Sequence, residues 1–295
     1  MILVTGATGF VGRYLARRLV KDGYAVRCLV LPGEETKVLD GLKLDIARGD
    51  ITDKASIVRA MDGVDTVFHL AAIVGSSDAE LIHRVNSVGT QNVVDACGER
   101  GIKRLIAMSS ITATFQHLGA YGRAKLEGEK AVQASPLEWT IIRCTLIYGK
   151  GCHEFEMMVD FMKKKPVMPV IGDGLARKQP VYVDDVVEAC VAAMKNKASV
   201  GKLYDIGGAS VVTFNEFLDL IGEAAGARPR KIHLPVPIAL MIARTLKLLL
   251  KNPPLNPDQV MSSHQHADVD NTRLTQELGV KPIGLKEGLA KTFHA

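Results

Sequence analysis

The sequence predicts an α/β protein: a doubly wound parallel sheet carrying a small C-terminal lobe. Two observations predict it. Short apolar runs alternate with amphipathic helical stretches through the first half of the chain, and a glycine-rich turn joins the first run to the first helix. After Gly149 the alternation gives way to helices, loops and isolated strands, and most of the prolines lie there.

The elements follow in order. Residues 1–4 form an apolar run that stops at the glycine turn. Residues 11–22 have helical periodicity, with Val11, Leu15, Leu19 and Val20 on one side. Gly23 ends that helix, and residues 24–30 read as the second strand. Further strands fit near 42–47, 64–69, 105–108 and 139–143, separated by helices at about 53–61, 79–100 and 119–134. This gives a first domain over 1–149. Residues 150–295 form mainly a substrate-binding lobe, with segments returning to the sheet.

Composition narrows the function classes. In 295 residues, 47% are apolar and 23% charged, enough to bury a sizeable core. The net charge of +5 is mild and its cations are dispersed, so no nucleic acid is expected as partner. The run Lys163, Lys164, Lys165 reads as a solvated helix end. Five cysteines, Cys28, Cys97, Cys144, Cys152 and Cys190, match neither a zinc site nor a disulfide framework and read as reduced thiols. With a strand starting at Met1 and no apolar run of about 18 residues, the expectation is a cytoplasmic protein.

The chemistry begins at residues 5–12, TGATGFVG, whose glycines are spaced G-x-x-G-x-x-G. Gly6, Gly9 and Gly12 permit a tight turn and close approach of a pyrophosphate, and the amides opening the next helix face its charge. Thr8, Phe10, Val11 and Arg13 belong to the same turn. Strand–turn–helix is the context that gives such a triplet meaning, and it predicts a Rossmann-type domain binding a nicotinamide dinucleotide. Asp50, beside Ile51 after a strand, fits a hydrogen bond to the adenine amino group, or a helix N-cap. At 69–72, HLAA, the small residues beside Leu70, Ala71 and Ala72 let backbone pass close to the cofactor.

Tyr121 and Lys125 stand at i and i+4 on an expected helix, so one face carries both. An ammonium beside a phenol favours the phenolate and brings its pKa, near 10 when free, toward working pH. Ser110, at a strand end, is placed to hold a substrate oxygen beside Tyr121.

These residues resemble the short-chain dehydrogenase/reductase superfamily, in its extended or atypical branch, the NAD-dependent epimerase/dehydratase type. The resemblance is carried by TGATGFVG at 5–12, GD at 49–50, HLAA at 69–72, NSVGTQN at 86–92, SS at 109–110, YGRAK at 121–125, RCTLIYG at 143–149 and QPVYVDDV at 179–186, in family order across nearly the whole chain. It implies NAD(P) binding and a Ser110–Tyr121–Lys125 set with Tyr121 as acid/base. It also implies that Asn86 supports the site and that Lys125 bonds the nicotinamide ribose. The function so implied is redox chemistry, or epimerisation or dehydration, on a carbinol or carbonyl of a nucleotide sugar or a sterol- or terpenoid-like alcohol. The alternative is a non-catalytic dinucleotide-binding sensor or assembly subunit.

Departures from the pattern bear on details. Only ten residues separate Ser110 from Tyr121, a short loop for an extended enzyme, and Cys144 replaces a common proline. Leu31 stands where many relatives carry an arginine for the NADP 2′-phosphate, yet no acid ends that strand, as NAD selection normally requires. Arg13 is placed to serve a 2′-phosphate. Between NADP(H) and NAD(H) the balance leans to NADP(H).

Other segments are weighed similarly. Cys152, His153 and Glu154 border the substrate cleft, and His264 with His266 sits in a loop; no metal is assigned to either. Asp184 and Asp185 read as helix caps. Residues 235–251 form an apolar helix with Ile238, Met241, Ile242, Thr245, Leu248 and Leu249 on one side, interrupted by Arg244 and Lys247. It packs into the lobe, roofs the site over a hydrophobic substrate, or lies on a membrane surface or a second subunit. The expected partner is a small-molecule substrate; a homodimer is left open.

Overall fold

The computed structural model describes residues 1–250 and 253–294. The first half contains strands β1 (Ile2–Thr5), β2 (Val26–Val30), β3 (Asp45–Arg48), β4 (Thr66–His69), β5 (Arg104–Ser110) and β6 (Glu138–Cys144), with helices α1 (Phe10–Lys21), α2 (Lys54–Ala60), α3 (Ala79–His83), α4 (Gly89–Glu99) and α5 (Ala120–Ala134). The second half contains β7 (Ile147–Tyr148), α6 (His153–Lys164), β8 (Val167–Ile171), β9 (Arg177–Lys178), β10 (Val181–Tyr182), α7 (Val183–Lys195), β11 (Lys202–Ile206), β12 (Val212–Thr213), α8 (Phe214–Ala225), β13 (Arg230–Leu234), α9 (Val236–Leu249), α10 (Pro257–Ser263), α11 (Thr272–Leu278) and α12 (Leu285–His294).

Seven strands form one parallel sheet in the order β11-β6-β5-β4-β1-β2-β3. The order reverses between β1 and β4, which opens a crevice at their carboxyl ends, where Thr5 pairs with His69. Helices cover both faces. Leu15, Leu19, Val186, Val187, Cys190 and Leu274 pack one face, from α1, α7 and α11. Ile57, Val93, Cys97 and Val132 pack the other, from α2, α4 and α5. The sheet is thus buried on both sides, which accounts for the continuous apolar runs of its central strands.

The lobe has its own apolar cluster around Tyr148, Phe155, Phe217, Ile221 and Leu289. It is tied to α1, where Tyr14 Oη donates to Lys150 O (2.8 Å). Strand β11 returns to the sheet as its edge beside β6.

Three local expectations need correction. The single helix expected over 79–100 is broken by a π turn, Arg84–Val88. Asp184 and Asp185 lie in the first turn of α7, whose N-cap is Tyr182; the Asp185 carboxylate accepts from Ile283 N instead (3.0 Å). The helix expected over 235–251 forms as α9 but turns the other way, and Lys251 lies outside the described residues. Ala239 and Ala243 are buried against Val260 of α10, while Met241, Leu248 and Leu249 are exposed at 62%, 87% and 74%. Val236 and Leu240 of α9 pack against the same small cluster. No helix among the described residues is long and apolar enough to cross a membrane.

Candidate active site

The glycine turn closes between β1 and α1. Gly6 has φ +70°, and a Cβ there would lie 2.7 Å from Ala71 Cα. A Cβ on Gly12 would lie 2.0 Å from Gly6 O. These two glycines therefore serve the packing of turn against helix and of turn against the 69–72 segment. Gly9 is different: its position is exposed, and a Cβ would meet only Gly6 O, at 3.2 Å. It is the N-cap of α1, no side chain caps that helix, and its first turn has no acid. The amides of Phe10, Val11 and Gly12 fall among the orphan donors that open every helix, at its positive end. This donor set fits a dinucleotide pyrophosphate.

The crevice beyond the turn is held by a chain of hydrogen bonds through His69. Thr90 Oγ1 donates to Asn86 O (2.8 Å), so it accepts from His69 Nε2 (2.9 Å). His69 Nδ1 is then the acceptor for Thr5 Oγ1 (2.9 Å), which in turn accepts from Ala71 N (3.2 Å). The single hydroxyl protons fix the tautomer as Nε2–H. Burial, and secondarily the Lys125 ammonium, push the His69 pKa down to about 3. The Asn86 side chain donates to Ile73 O (2.9 Å) and accepts from Ile73 N (2.8 Å), tying the segment after β4 to the π turn. That clasp accounts for the break in the helix.

Ser110 ends β5, and its Oγ accepts from Thr112 N (3.3 Å) and Thr112 Oγ1 (3.0 Å). Tyr121 is half-buried at the start of α5. Burial pushes its pKa up to about 12; nearby Cys144 adds to the rise and the hydrogen bond with Ser110 opposes it. Ser110 and Tyr121 are thus brought together. Lys125 is one turn further along the same helix. Its ammonium is buried and donates to Met108 O (2.6 Å), and burial lowers its pKa to about 8. One turn further on, Glu129 is clasped by Arg143 through two bonds (3.0 and 2.7 Å), and Arg143 also reaches Asp205 of β11 (3.2 Å).

The remaining expected residues sit as follows. Asp50 is not an N-cap: Asp53 caps α2, and Asp50 Oδ1 accepts from Thr52 N (2.8 Å). Ile51 is buried, and Ile51 O accepts from Asn92 Nδ2 (2.9 Å). Leu70, Ala71 and Ala72 are half-buried at the crevice. Leu31 is exposed at 47%, beyond the end of β2. Arg13 is drawn toward the lobe, where its guanidinium donates to Gly151 O beside the rings of Phe10 and Tyr14. His266 Nδ1 accepts from Arg177 N (3.0 Å), and Gln265 brackets His117. His69, Thr90, Glu34 and Arg143 were not singled out in the sequence. For His69 the signal was the HLAA segment itself.

A model of the NAD-dependent epimerase/dehydratase family matches residues 2–207. The chain belongs to that family. It is similar to the 3beta-hydroxysteroid-dehydrogenase/decarboxylase isoform 2 of Arabidopsis thaliana, with 30% identity over 345 residues covering 99% of this chain and 61% of the relative. The chain thus spans less than two thirds of that protein. The ceramide reductase of Caulobacter vibrioides is 30% identical over 238 residues, 80% of this chain and 74% of the reductase. Among solved structures, UDP-glucose 4-epimerase of Thermotoga maritima with UDP-glucose superposes with a TM-score of 0.80 at 22% identity, covering 99% and 97% of the two chains. The epimerase/dehydratase member described here is built on a Rossmann-like sheet.

Proposed function

We propose that the protein interconverts a carbinol and a carbonyl on a small lipid-like substrate, with Tyr121 as the proton-exchanging group. The observation that carries this is the placing of Ser110, at the carboxyl end of β5, beside Tyr121, at the start of α5, near the crevice where the sheet order reverses. A nicotinamide bound there would supply hydride chemistry. Ser110 would hold the substrate oxygen. With a pKa near 12, Tyr121 is a phenol at neutral pH, suited to donating its proton to the oxygen of a ketone or aldehyde. In the reverse direction the Ser110 hydrogen bond favours the phenolate, which accepts the carbinol proton. The buried ammonium of Lys125 would stabilise that phenolate on swinging from Met108 O toward the ring.

Support for a lipid-like substrate comes from two relatives at 30% identity, a steroid dehydrogenase/decarboxylase and a ceramide reductase. The likeness to a nucleotide-sugar epimerase is one of fold.

Tyr121→Phe removes only the hydroxyl. It should leave dinucleotide binding intact and cut turnover of a responsive ketone or alcohol by roughly 10²-fold or more, the scale of acid/base removal. The measurement is initial rate with a sterol, a long-chain ketone and UDP-glucose, beside a cofactor titration. Full turnover by the variant would overturn the assignment. A wild type that binds cofactor yet turns over nothing would favour the sensor reading.

A further inference from the structure

We infer that Glu34 reads the adenosine ribose and makes the protein selective for NAD(H) over NADP(H). This rests on the proposed dinucleotide site and reverses the lean to NADP(H) drawn from Arg13 and from the lack of an acid at the end of β2.

The usual place for an acid is the last residue of β2, and this chain has none there. Instead the loop after β2 folds back. Glu34 Oε1 accepts from Thr8 Oγ1 (2.8 Å), and Glu34 Oε2 accepts from Leu31 N (3.3 Å). The carboxylate therefore lies against the glycine turn itself. Arg48 of β3 holds the loop in this position, since Nη1 donates to Leu31 O (3.0 Å) and Glu34 O (2.7 Å).

The path of the cofactor puts a sugar at this point. A pyrophosphate on the amides of α1 sends its adenosine half over the carboxyl ends of β2 and β3. Beside those ends lies an open pocket of about 540 Å³, lined by Glu34, Glu35, Thr36, Lys37, Asp40 and Arg48 among others, and Glu34 links it to Thr8 of the glycine turn. Two ribose hydroxyls are donors, and a carboxylate beside them accepts from both. A 2′-phosphate carries a charge of about −1.5 to −2 and offers only acceptors, so Glu34 opposes it by repulsion and by lack of a donor. The cations facing the cavity do not reverse this. The three carboxylates of Glu34, Glu35 and Asp40 outnumber Lys37 and Arg48 around it, and Lys37 is itself paired with Glu35 (3.2 Å). Arg13, the remaining candidate, reaches Gly151 O.

The test is titration of the purified full chain with NADH and with NADPH, followed by calorimetry or by quenching of nucleotide fluorescence. Discrimination by one opposed charge predicts that wild type binds NADH on the order of 10²-fold more tightly. Glu34→Gln keeps the length and the bond to Thr8 while removing the charge, and should narrow the ratio to about tenfold or less. Glu34→Ser, with melting temperature as the folding control, should narrow it as well. Equal or tighter binding of NADPH by wild type would overturn the inference, as would an unchanged ratio in both variants. Binding of neither nucleotide would overturn it together with the dinucleotide site, an outcome distinct from binding with the wrong preference.

Discussion

His69 is held neutral in the folded protein at ordinary pH. Both ring nitrogens are committed, one as donor to Thr90 and one as acceptor from Thr5, so a second proton disrupts the existing bonds. Its folded pKa of about 3 lies below the ordinary 6.5. Between these values the unfolded chain binds a proton that the folded chain does not. Stability from this group is complete above pH 6.5 and falls as the pH drops toward 3, by about 1.4 kcal/mol per pH unit. Between pH 7 and 5, wild type should therefore lose on the order of 2 kcal/mol more than His69→Gln in urea unfolding followed by Trp139 fluorescence. Parallel losses in the two proteins would show that the ring takes up a proton without cost. Residues at this scale were unevenly legible. The positions of Ser110 at a strand end, of Tyr121 at a helix start and of the three glycines in the first turn were readable because residue type and spacing fix where they fall. The orientation of Lys125 was not, because a carbonyl of β5, not its own helix, captures the ammonium. Glu34 was missed because a loop, which has no periodicity, delivers it to Thr8.

Elements were legible where an apolar stripe decides the packing. Leu15 and Leu19 of α1 are fully buried as their spacing demands, and α1 begins one residue from its expected start. The pattern misled at α9, where the heavier apolar stripe is the exposed one and the packed stripe is alanine. Periodicity reports how apolar a face is; it does not report how closely a neighbour can approach. A swap of the two faces in mutagenesis should follow. Leu248→Gln with Leu249→Gln touches side chains in solvent and should shift stability by less than about 0.5 kcal/mol. Ala243→Glu puts a charge at a position with 0% exposure and should cost several kcal/mol. Thermal melts of the two variants decide it. A large loss in the double leucine variant would mean that something covers that face in solution.

At the scale of the whole molecule the two halves share a core, although the sequence divides near residue 149. The sheet face against α1 is closed by Val186, Val187 and Val191 of α7, and the sheet edge by β11 with Ile206, all nearly fully buried. Arg143 bonds Asp205 of β11 and Glu129 of the helix that carries Tyr121, so the later half also steadies the reacting helix. The change of composition at Gly149 marks where the alternation of strand and helix ends. The return of α7 and β11 was expected only in outline, since a parallel edge strand can be placed on either side of a sheet by the same pattern. The energetics make the shared core decisive. Each of those four side chains contributes about 1.5–3 kcal/mol on burial. Together they equal or exceed much of the 5–15 kcal/mol by which a whole domain is stable. A fragment of residues 1–149 should therefore lack a cooperative melt and be digested rapidly by protease, whereas the full chain should unfold in one transition. The comparison is circular dichroism and limited proteolysis of both. A fragment that melts cooperatively would show that the sheet closes without α7 and β11, and that the lobe is an addition to a domain already complete.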